Sequence, residues 1–460
     1  MADQLRYDWL GIAGTLGVNT PNIDRLASRG IWFTHLVTNA AICAPARISL
    51  ATGRRPFRHG ALDNDSSLDH RDVTYYQRLR DHGYHVGVIG KIDLNKPDFY
   101  HGRGGDRPAT YSWGFTHPLE AEGKMQAGGM NRHRPLGPYG YWLEERGLFE
   151  KFATDYTLRL KALWGPLQGQ TYRGDGLYRD SVLPENAFED WWIGERAVEW
   201  INLRASSEYP WHLFVSFVGP HDPFDPPVSW AEKFRDTPVA AAIPAKPGKP
   251  GYADPGLWKV SSDEVAIARR QYSASLAVID KQVGDILAVL KSRGFDDSTI
   301  VVFTSDHGEM LGDHGLFQKC VPYEGSMRIP LIVTGPDIEP GVNDALIELA
   351  DLNPTLCELA GLEPQRGIDA RSIVPMLTRQ APDHRDAVLC TEPHYRAIRT
   401  ATHKYVHNTG VHKLARHDDV DELYDLRSDP SELHNLLVED PGASRSLLRE
   451  FAEREIQELT

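Results

Sequence analysis

Side chains able to do chemistry occur in a few short stretches of this 460-residue sequence. The stretches are MADQLRYDW with Asp3 and Gln4, GKIDLNK with Lys91 and Asp93, GPHDPFDPP with His221, and SDHGEMLGDHG with Asp306 and His307. The pair Asp306 and His307 directly follows an apolar run and needs a partner or a ligand, because burying an unpaired charge is costly. With Asp3 and the Gln4 carbonyl, it offers mostly oxygen ligands, which suit calcium or magnesium, while the imidazole leaves manganese open. The sequence therefore predicts a divalent-cation site.

Four basic side chains could act beside that cation. We expect Arg47, Lys91 and Lys319 to neutralise an oxyanion together with the metal, and His221 to donate a proton to a leaving oxygen. Taken singly, His221 could be a hydrogen-bonded loop histidine and Lys91 a solvated lysine at a strand end. Cys43, in ICAPARISLATG at the start of a predicted helix, could likewise be a small buried apolar residue. The function is predicted by the set as a whole.

Apolar runs rich in β-branched and aromatic residues alternate with helical patterns along the chain, and they must position these side chains. The runs are IWFTHLV from Ile31, YHVGVIG from Tyr84, HLFVSFVG from His212, TIVVFTS from Thr299 and PLIVTG from Pro330. Such runs are typical of strands buried on both faces. The alternation predicts an α/β sandwich with a largely parallel central sheet flanked by helices, whose functional loops lie at the carboxyl ends of the strands.

Two segments interrupt the alternation of strand and helix patterns and suggest how the chain is divided into domains. From Pro97 to Pro184 the sequence predicts an irregular insertion, since long irregular segments in compact domains are usually functional loops. Its basic residues could bind substrate, contact another subunit or be solvated, and they are Arg103, Arg107, Arg132, His133 and Arg134. After Arg371, short apolar segments predict antiparallel strands followed by a closing helix from Pro441. We therefore predict a catalytic domain over 1–370, with the insertion at 97–184, and a smaller C-terminal α+β subdomain over 371–460.

Composition narrows the partners. The formal net charge of −14 disfavours nonspecific binding to nucleic acid or to an anionic membrane. No apolar run approaches the ~20 residues of a membrane span, and no signal segment follows Met1. The four cysteines, Cys43, Cys320, Cys357 and Cys390, are too scattered for a disulfide framework and lack zinc-type spacing, which fits a reducing compartment. We expect a cytoplasmic protein that contacts neither membrane nor nucleic acid, with homo-oligomer formation left open.

The start of the sequence raises a separate expectation. A metal ligand at Asp3 should lie at the carboxyl end of a central strand, but Met1 and Ala2 are too few for a strand of the usual ~5 or 6 residues. We expect Met1 to be an internal methionine of that strand and the natural start to lie upstream.

Several stretches carry a family resemblance that runs nearly end to end. CAPARISLATG resembles the sulfatase signature C-x-P-[SA]-R followed by L-x-T-G. Other blocks that resemble this family are TSDHGEMLGDHGLFQK, GPHDPF, DLNPTLCELAGL and ELYDLRSDPSELHNL. The resemblance implies an alkaline-phosphatase-like fold and hydrolysis of small-molecule or saccharide sulfate esters. It also implies that a maturation enzyme, reading the Cys, Pro and Arg of the signature, oxidises Cys43 to formylglycine.

The resemblance further assigns roles to individual residues. It implies that a hydroxyl of the hydrated aldehyde attacks sulfur and expels the alcohol, and that the aldehyde re-forms as sulfate leaves. Arg47 and Lys91 would hold the formylglycine, Lys319 would bridge it to the substrate, and His221 would serve as the acid. The implied ligands of the metal, for which calcium is favoured, are Asp3, Gln4, modified Cys43, Asp306 and His307.

Two departures from the family pattern leave an alternative open. Many sulfatases have Asn at the position of His307, and many have G-K-x-H where this sequence has GKID with Asp93. The combination of DQ, CxPAR and DH also resembles phosphonate monoester and phosphodiester hydrolases of the same superfamily. Lys91, which the sulfatase branch keeps, favours sulfate monoesters.

Overall fold

The strands of the computed structural model form three sheets. The structure describes residues 1–98, 101–130, 136–164, 175–204, 209–245, 260–363, 365–409, 420–442 and 444–459. The strands are β1 (Ala2–Asp3), β2 (Ile31–Val37), β3 (His85–Gly90), β4 (His117–Glu120), β5 (Trp211–Pro220), β6 (Val301–Thr304), β7 (Arg328–Thr334), β8 (Gly341–Glu348), β9 (Ala387–Glu392), β10 (Tyr395–Thr400), β11 (His403–Asn408) and β12 (Glu422–Asp425). The sheets have the orders β1-β5-β3-β4, β6-β7-β2-β8 and β12-β11-β10-β9.

Helices lie between and around these strands. They are α1 (Pro21–Ala27), α2 (Cys43–Thr52), α3 (Pro56–His59), α4 (Tyr75–Asp81), α5 (Pro108–Ser112), α6 (Pro138–Glu145), α7 (Phe149–Trp164), α8 (Asp175–Tyr178), α9 (Glu189–Asn202), α10 (Val228–Phe234), α11 (Ser262–Ser292), α12 (Glu324–Met327), α13 (Leu352–Leu359), α14 (Val374–Leu377), α15 (Leu436–Glu439) and α16 (Ser444–Leu459). Within the described ranges, no helix combines the length and apolar character needed to cross a bilayer.

The α/β prediction is confirmed. The sheet containing β5 is parallel throughout, and in the sheet containing β6 only β7 runs opposite to its neighbours. Helices α9 and α11 pack against one face of β5, and α4 packs against β3 and α13 on the other face. Consecutive strand residues Val88 and Ile89 accordingly belong to different apolar cores, as expected for a strand buried on both faces.

Each predicted apolar run forms a strand, and local chemistry sets the helix ends. Thr74 is the N-cap of α4: its hydroxyl accepts from the Gln77 backbone N–H, and the Gln77 side chain accepts from the Thr74 N–H. Helix α11 buries Tyr272, Leu276 and Ile279, at spacings of four and three residues, along one face.

The 97–184 insertion differs from the prediction. It was expected to be irregular, but its described part contains β4 and helices α5 to α8. Gly, Arg and aromatic residues obscured the helical period, although α7 buries Phe152 and Tyr156 against the main core. Arg132, His133 and Arg134 lie outside the described residues.

The C-terminal subdomain matches the expectation of an antiparallel sheet with a closing helix. Strands β9 to β12 pair in consecutive antiparallel order, and α16 packs Phe451 against that sheet. Val388 and Cys390 of β9 pack on Val37 and Ala41 of the catalytic domain. The subdomain therefore supports the loop that leads into Cys43.

The sheet that contains β5 and the sheet that contains β6 meet at β1. Ala2 pairs with Phe217 of β5 and, across an isolated parallel bridge, with Ser305 just after β6. Behind Met1, a cavity of about 650 Å³ separates Trp211–Phe217 from Val301–Thr304. Its lining is mainly apolar, and it includes Phe214, Val302 and Leu290.

Candidate active site

The predicted functional side chains converge because they follow strands whose carboxyl ends lie at one edge. Asp3 ends β1, Lys91 directly follows β3, and His221 directly follows β5. Asp306 lies two residues after β6, and Cys43 is the first residue of α2. This is the edge at which ligands bind in open α/β sheets.

Four of these side chains form a compact group. Asp3, Cys43, Asp306 and His307 are buried, and one potential ligand atom from each lies within 4.8 Å of the others. His307 Nε2 is 3.1 Å from Cys43 Sγ, and its Nδ1 is 3.0 Å from the Gly308 carbonyl oxygen. Because a carbonyl only accepts, Nδ1 carries a proton, and Nε2 is the ring nitrogen that faces the group. Two carboxylates and such an imidazole can hold a divalent cation.

The Arg47 guanidinium contacts both carboxylates of this group. Its Nε donates to Asp306 Oδ2 at 2.8 Å, and its Nη1 donates to the Lys91 carbonyl at 2.6 Å and to Ser216 Oγ at 2.9 Å. Burial opposes its charge, but Asp306 and Asp3 outweigh burial and raise the pKa of Arg47 above its usual range. The guanidinium is therefore a fixed positive charge under the site.

Lys91 supplies a second fixed charge. Its Nζ contacts the Asp3 carboxylate and lies 3.1 Å from Asp93 Oδ2. Despite burial, these two carboxylates hold the pKa of Lys91 well above its usual value. Asp93, at the position where many sulfatases have histidine, also pairs with Lys96 at 2.8 Å. Asp93 therefore holds two lysines near Cys43.

Cys43 lies in a strongly positive environment. Burial opposes ionisation, but Lys319, Lys91 and other nearby cations outweigh it and place the pKa of the thiol well below its ordinary value. Its neighbour Ala44 presents a helix N-terminal N–H, which donates to Asn64 Oδ1 at 3.0 Å. The position is therefore built to stabilise negative charge.

Lys319 and His221 meet on the other side of the group. Lys319 Nζ donates to His221 Nε2 and to Gln4 Oε1, both at 2.5 Å. His221 Nδ1 donates to the Asp222 carbonyl at 2.7 Å, which leaves Nε2 facing the site. Nε2 is thus the atom of His221 that could exchange a proton with a substrate.

Gln4 is held differently from the other predicted ligands. Its backbone carbonyl accepts from the Tyr272 hydroxyl at 2.6 Å, and its backbone N–H donates to Asp306 Oδ1 at 3.1 Å. Its backbone φ of +65° is unusual for a residue other than glycine. The role of Gln4 as a metal ligand remains a prediction.

The structure adds residues that the sequence analysis did not assign. Ser216 accepts from Arg47, and the buried side chains of Asp222 and Glu309 both contact the Gln4 amide. Asp222 directly follows His221 in GPHDPFDPP, and Glu309 lies two residues after His307 in SDHGEMLGDHG. The only sign in the sequence that these carboxylates support the site was their position close to a predicted site residue.

Two basic residues of the insertion have partners within it. Arg107 is buried and makes two hydrogen bonds to the Glu120 carboxylate, at 2.6 and 2.7 Å. Arg103 stacks over the Tyr141 ring, 3.4 Å from its centroid, and lies 3.4 Å from Glu145. A substrate role for the insertion remains a prediction.

Fold and site together define a class of α/β enzymes whose sheet edge carries fixed positive charges and side chains that can hold a divalent cation. The family model described as Sulfatase matches residues 1–362, and the one described as N-sulphoglucosamine sulphohydrolase, C-terminal, matches residues 312–458. The chain belongs to the sulfatase family of sulfuric ester hydrolases, within the alkaline phosphatase superfamily.

Individual relatives span nearly the whole chain. A choline-sulfatase of Rhizobium meliloti is 28% identical over 95% of this chain and 81% of its own length. An arylsulfatase of Clostridium perfringens is 26% identical over 99% of this chain and 93% of its own. The crystal structure of a phosphonate monoester hydrolase of Agrobacterium radiobacter superposes with a TM-score of 0.76 at 25% identity, covering 99% of this chain and 94% of that one.

Proposed function

We propose that this protein hydrolyses sulfate monoesters at the edge of the sheet, using a formylglycine made from Cys43 by a maturation enzyme, and releases sulfate and an alcohol. The observation that carries the proposal is the group of Asp3, Cys43, Asp306 and His307, with ligand atoms within 4.8 Å of one another. Family membership supplies the reaction class, and the signature around Cys43 supplies the nucleophile.

The residues present suit a divalent cation. Asp3 and Asp306 offer carboxylate oxygens, and His307 turns Nε2 toward them, with Cys43 Sγ marking the place of the formylglycine oxygen. We propose that these four residues and Gln4 hold calcium, with magnesium and manganese as the other candidates. When bound, the cation would supply positive charge that activates the nucleophile and stabilises the sulfuryl oxygens.

The surrounding side chains of this chain have distinct tasks. Arg47 and Lys91 fix Asp3, Asp306 and the start of α2, so the nucleophile keeps its place. Lys319 can donate from Nζ to a substrate oxygen instead of to His221 Nε2. His221 in its protonated form, with a proton on each ring nitrogen, can then give the Nε2 proton to the leaving alcohol. The burial of the carboxylates excludes water, which strengthens each of these charges.

The nucleophile is tested by peptide mass spectrometry of protein co-expressed with a formylglycine-generating enzyme. The Cys43 peptide should carry an aldehyde or its hydrate, and Cys43→Ala should abolish turnover. Cys357 provides the matched control, because it is a buried thiol in α13 away from this group. Its peptide should carry an unmodified thiol, and Cys357→Ala should keep turnover. An unmodified Cys43 in fully active protein would refute the mechanism.

A phosphonate monoester or phosphodiester hydrolase on the same residues is the second candidate. The similarity to the Agrobacterium radiobacter phosphonate monoester hydrolase favours it. We compare kcat/KM for nitrophenyl sulfate with that for nitrophenyl phenylphosphonate and for a nitrophenyl phosphodiester. Sulfate should be preferred, because a sulfate monoester offers three non-bridging oxygens to the fixed cations Arg47, Lys91 and Lys319, whereas each phosphorus ester offers two and carries a second substituent. A preference for phosphorus esters would reverse the order.

The substrate alcohol is proposed only as a small molecule or a saccharide. A panel of sulfated sugars, choline sulfate and aryl sulfates, assayed by sulfate release, would identify it. A rate on one saccharide sulfate far above the rate on aryl sulfate would assign the saccharide class, and the converse would assign the small-molecule class.

A further inference from the structure

Glu309 is a fully buried carboxylate three residues beyond Asp306 that is not one of the four clustered ligand residues. Its Oε1 accepts the backbone N–H of Leu311 at 3.1 Å and that of Gln318 at 2.5 Å. Its Oε2 accepts from the side-chain amide nitrogen of Gln4. All three partners are donors, so both oxygens of Glu309 must act as acceptors.

The Gln4 side chain connects Glu309 to the catalytic lysine. Gln4 Nε2 donates to Glu309 and also to Asp222 Oδ1 at 3.1 Å, while Gln4 Oε1 accepts from Lys319 Nζ at 2.5 Å. Two carboxylates on the nitrogen side permit one orientation of the amide. In that orientation the oxygen faces Lys319.

Glu309 therefore reaches Lys319 by two routes. One runs through the Gln4 amide to Nζ, and the other runs through the backbone N–H of Gln318, the residue that precedes Lys319. Gln318 is further fixed by its side-chain nitrogen, which donates to Asp222 Oδ2 at 3.0 Å. The loop that carries Lys319 is thus held at backbone and side chain by buried carboxylates.

We propose that Glu309 is a positioning residue: it orients the Gln4 amide and the 318–319 backbone so that Lys319 Nζ points at the sulfuryl oxygens of the substrate. The inference rests on the proposed function, because it assigns that lysine to the same reaction. Such residues act by removing disorder from a catalytic group, so their loss lowers kcat more than it raises KM.

Glu309→Gln is the informative substitution. The substitution preserves the size of the side chain, but the new amide has one NH₂ group. In either orientation this NH₂ faces a donor, either Gln4 Nε2 or the two backbone N–H groups, and two donors cannot form a hydrogen bond with each other. We expect kcat on nitrophenyl sulfate to fall about 10- to 100-fold with KM changed less than about threefold. Glu309→Ala, which removes the carboxylate without adding a donor, should also lower kcat. Circular dichroism and the melting temperature verify that each variant is folded.

A double-mutant cycle with Lys319→Ala separates positioning from general structural damage. If Glu309 acts through Lys319, Glu309→Gln should change kcat by less than about twofold once Lys319 is alanine. Asp313→Asn is the matched control: this buried carboxylate in the same loop pairs with Arg6 and Arg269, each at 2.6 Å. Its effect should be the same in both backgrounds. Full additivity of Glu309→Gln with Lys319→Ala would overturn the inference.

The same cycle is measured on the affinity for inorganic sulfate by calorimetry, which does not require turnover. Lys319→Ala and Glu309→Gln should each weaken sulfate binding, and the double variant should bind no more weakly than Lys319→Ala. Matured wild-type protein that turns over no sulfate or phosphorus ester would refute the proposed function, while the sulfate-binding cycle would still decide the role of Glu309. Wild-type sulfate affinity in Glu309→Gln, alongside weakened binding in Lys319→Ala, would refute the inference alone.

Discussion

Asp306→Asn should remove both the response of the protein to a divalent cation and part of its intrinsic stability. Asp306 Oδ1 accepts the backbone N–H groups of Gln4 and His307 at 3.1 and 3.0 Å, and Oδ2 accepts from Arg47 Nε at 2.8 Å. An asparagine can keep its oxygen on the two backbone donors, but its NH₂ then faces Arg47. Breaking one partner of a buried ion pair costs about 3–5 kcal/mol, and we expect the lower value because Asp3 stays 3.4 Å from Arg47.

The stabilisation of the fold by bound calcium is the second quantity that Asp306→Asn should change. At a calcium concentration of one hundred times Kd, binding stabilises the wild type by about 2.7 kcal/mol. If loss of the carboxylate weakens binding about 100-fold, the same calcium concentration equals the new Kd and stabilises the variant by only about 0.4 kcal/mol. Urea unfolding with and without calcium, after treatment with a chelator, measures both quantities.

Asp313→Asn is the control for this measurement. It also removes a buried carboxylate from two arginines, so its stability without calcium should fall, but Asp313 lies outside the ligand group and the calcium response should keep its full size. A full calcium response in Asp306→Asn, or its loss in Asp313→Asn, would refute the assignment of the site.

Three further predictions concern other parts of the structure. His221→Gln should lower kcat/KM at least about 100-fold on alkyl sulfates and much less on nitrophenyl sulfate, whose leaving group needs no acid; equal losses on both would exclude His221 as the acid. Burial, aided by the charge of Arg54, lowers the pKa of His59 from 6.5 to about 3, and its Nδ1 accepts the Ala61 N–H at 3.1 Å. Because folding favours the neutral imidazole, the contribution of His59 to the free energy of unfolding is complete above pH ~6.5 and is lost as the pH falls toward ~3. Between pH 6.5 and 4.5, urea unfolding should show the wild type losing about 2 kcal/mol more stability than His59→Gln. An equal dependence of stability on pH in the two proteins would contradict this. An apolar segment fused before Met1 could fill the cavity of about 650 Å³ between β5 and β6, and it should stabilise the protein by at least about 2 kcal/mol. An extension of equal length with alternating Ser and Gly should give no such stabilisation. Equal melting temperatures for the two extended proteins would contradict the prediction.

The sequence predicts most of the fold because its strands are long apolar runs. The run from Ile31 becomes β2 with the same bounds, and Lys91, His221 and Asp306 follow their strands as expected. Since a period-two or continuous apolar pattern depends on local sequence, it can be read without knowledge of the partners. The helices of the insertion were missed because their apolar faces are short and interrupted by Gly and aromatic residues.

The support of the site could not be predicted in the same way. The contacts of Gln4 with Glu309 and Lys319 join residues about 300 positions apart, and the orientation of an amide depends on which carboxylates surround it. Arg107 shows the converse: as a basic residue in a Gly-rich segment it was a candidate for substrate binding, whereas Glu120 neutralises it inside the protein. Pairings of this kind depend on the packed structure.

The position of the site between two sheets has a consequence for the cooperativity of the fold. Asp3, Lys91 and His221 extend from the sheet of β5, whereas Asp306 follows β6 and Cys43 follows β2 in the other sheet. In the described chain, the backbone bonds between these two sheets run through Ala2 alone. A cation held by Asp3 and Asp306 would therefore add a direct link between the sheet of β5 and the sheet of β6. Arg47 already joins Asp3 to Asp306, and the two sheets share an apolar core, so they hold together without the cation. In hydrogen exchange, the amides of β5 and β6 nearest the site should therefore exchange more slowly with the cation than without it, so that cation binding would also couple the stability of one sheet to that of the other.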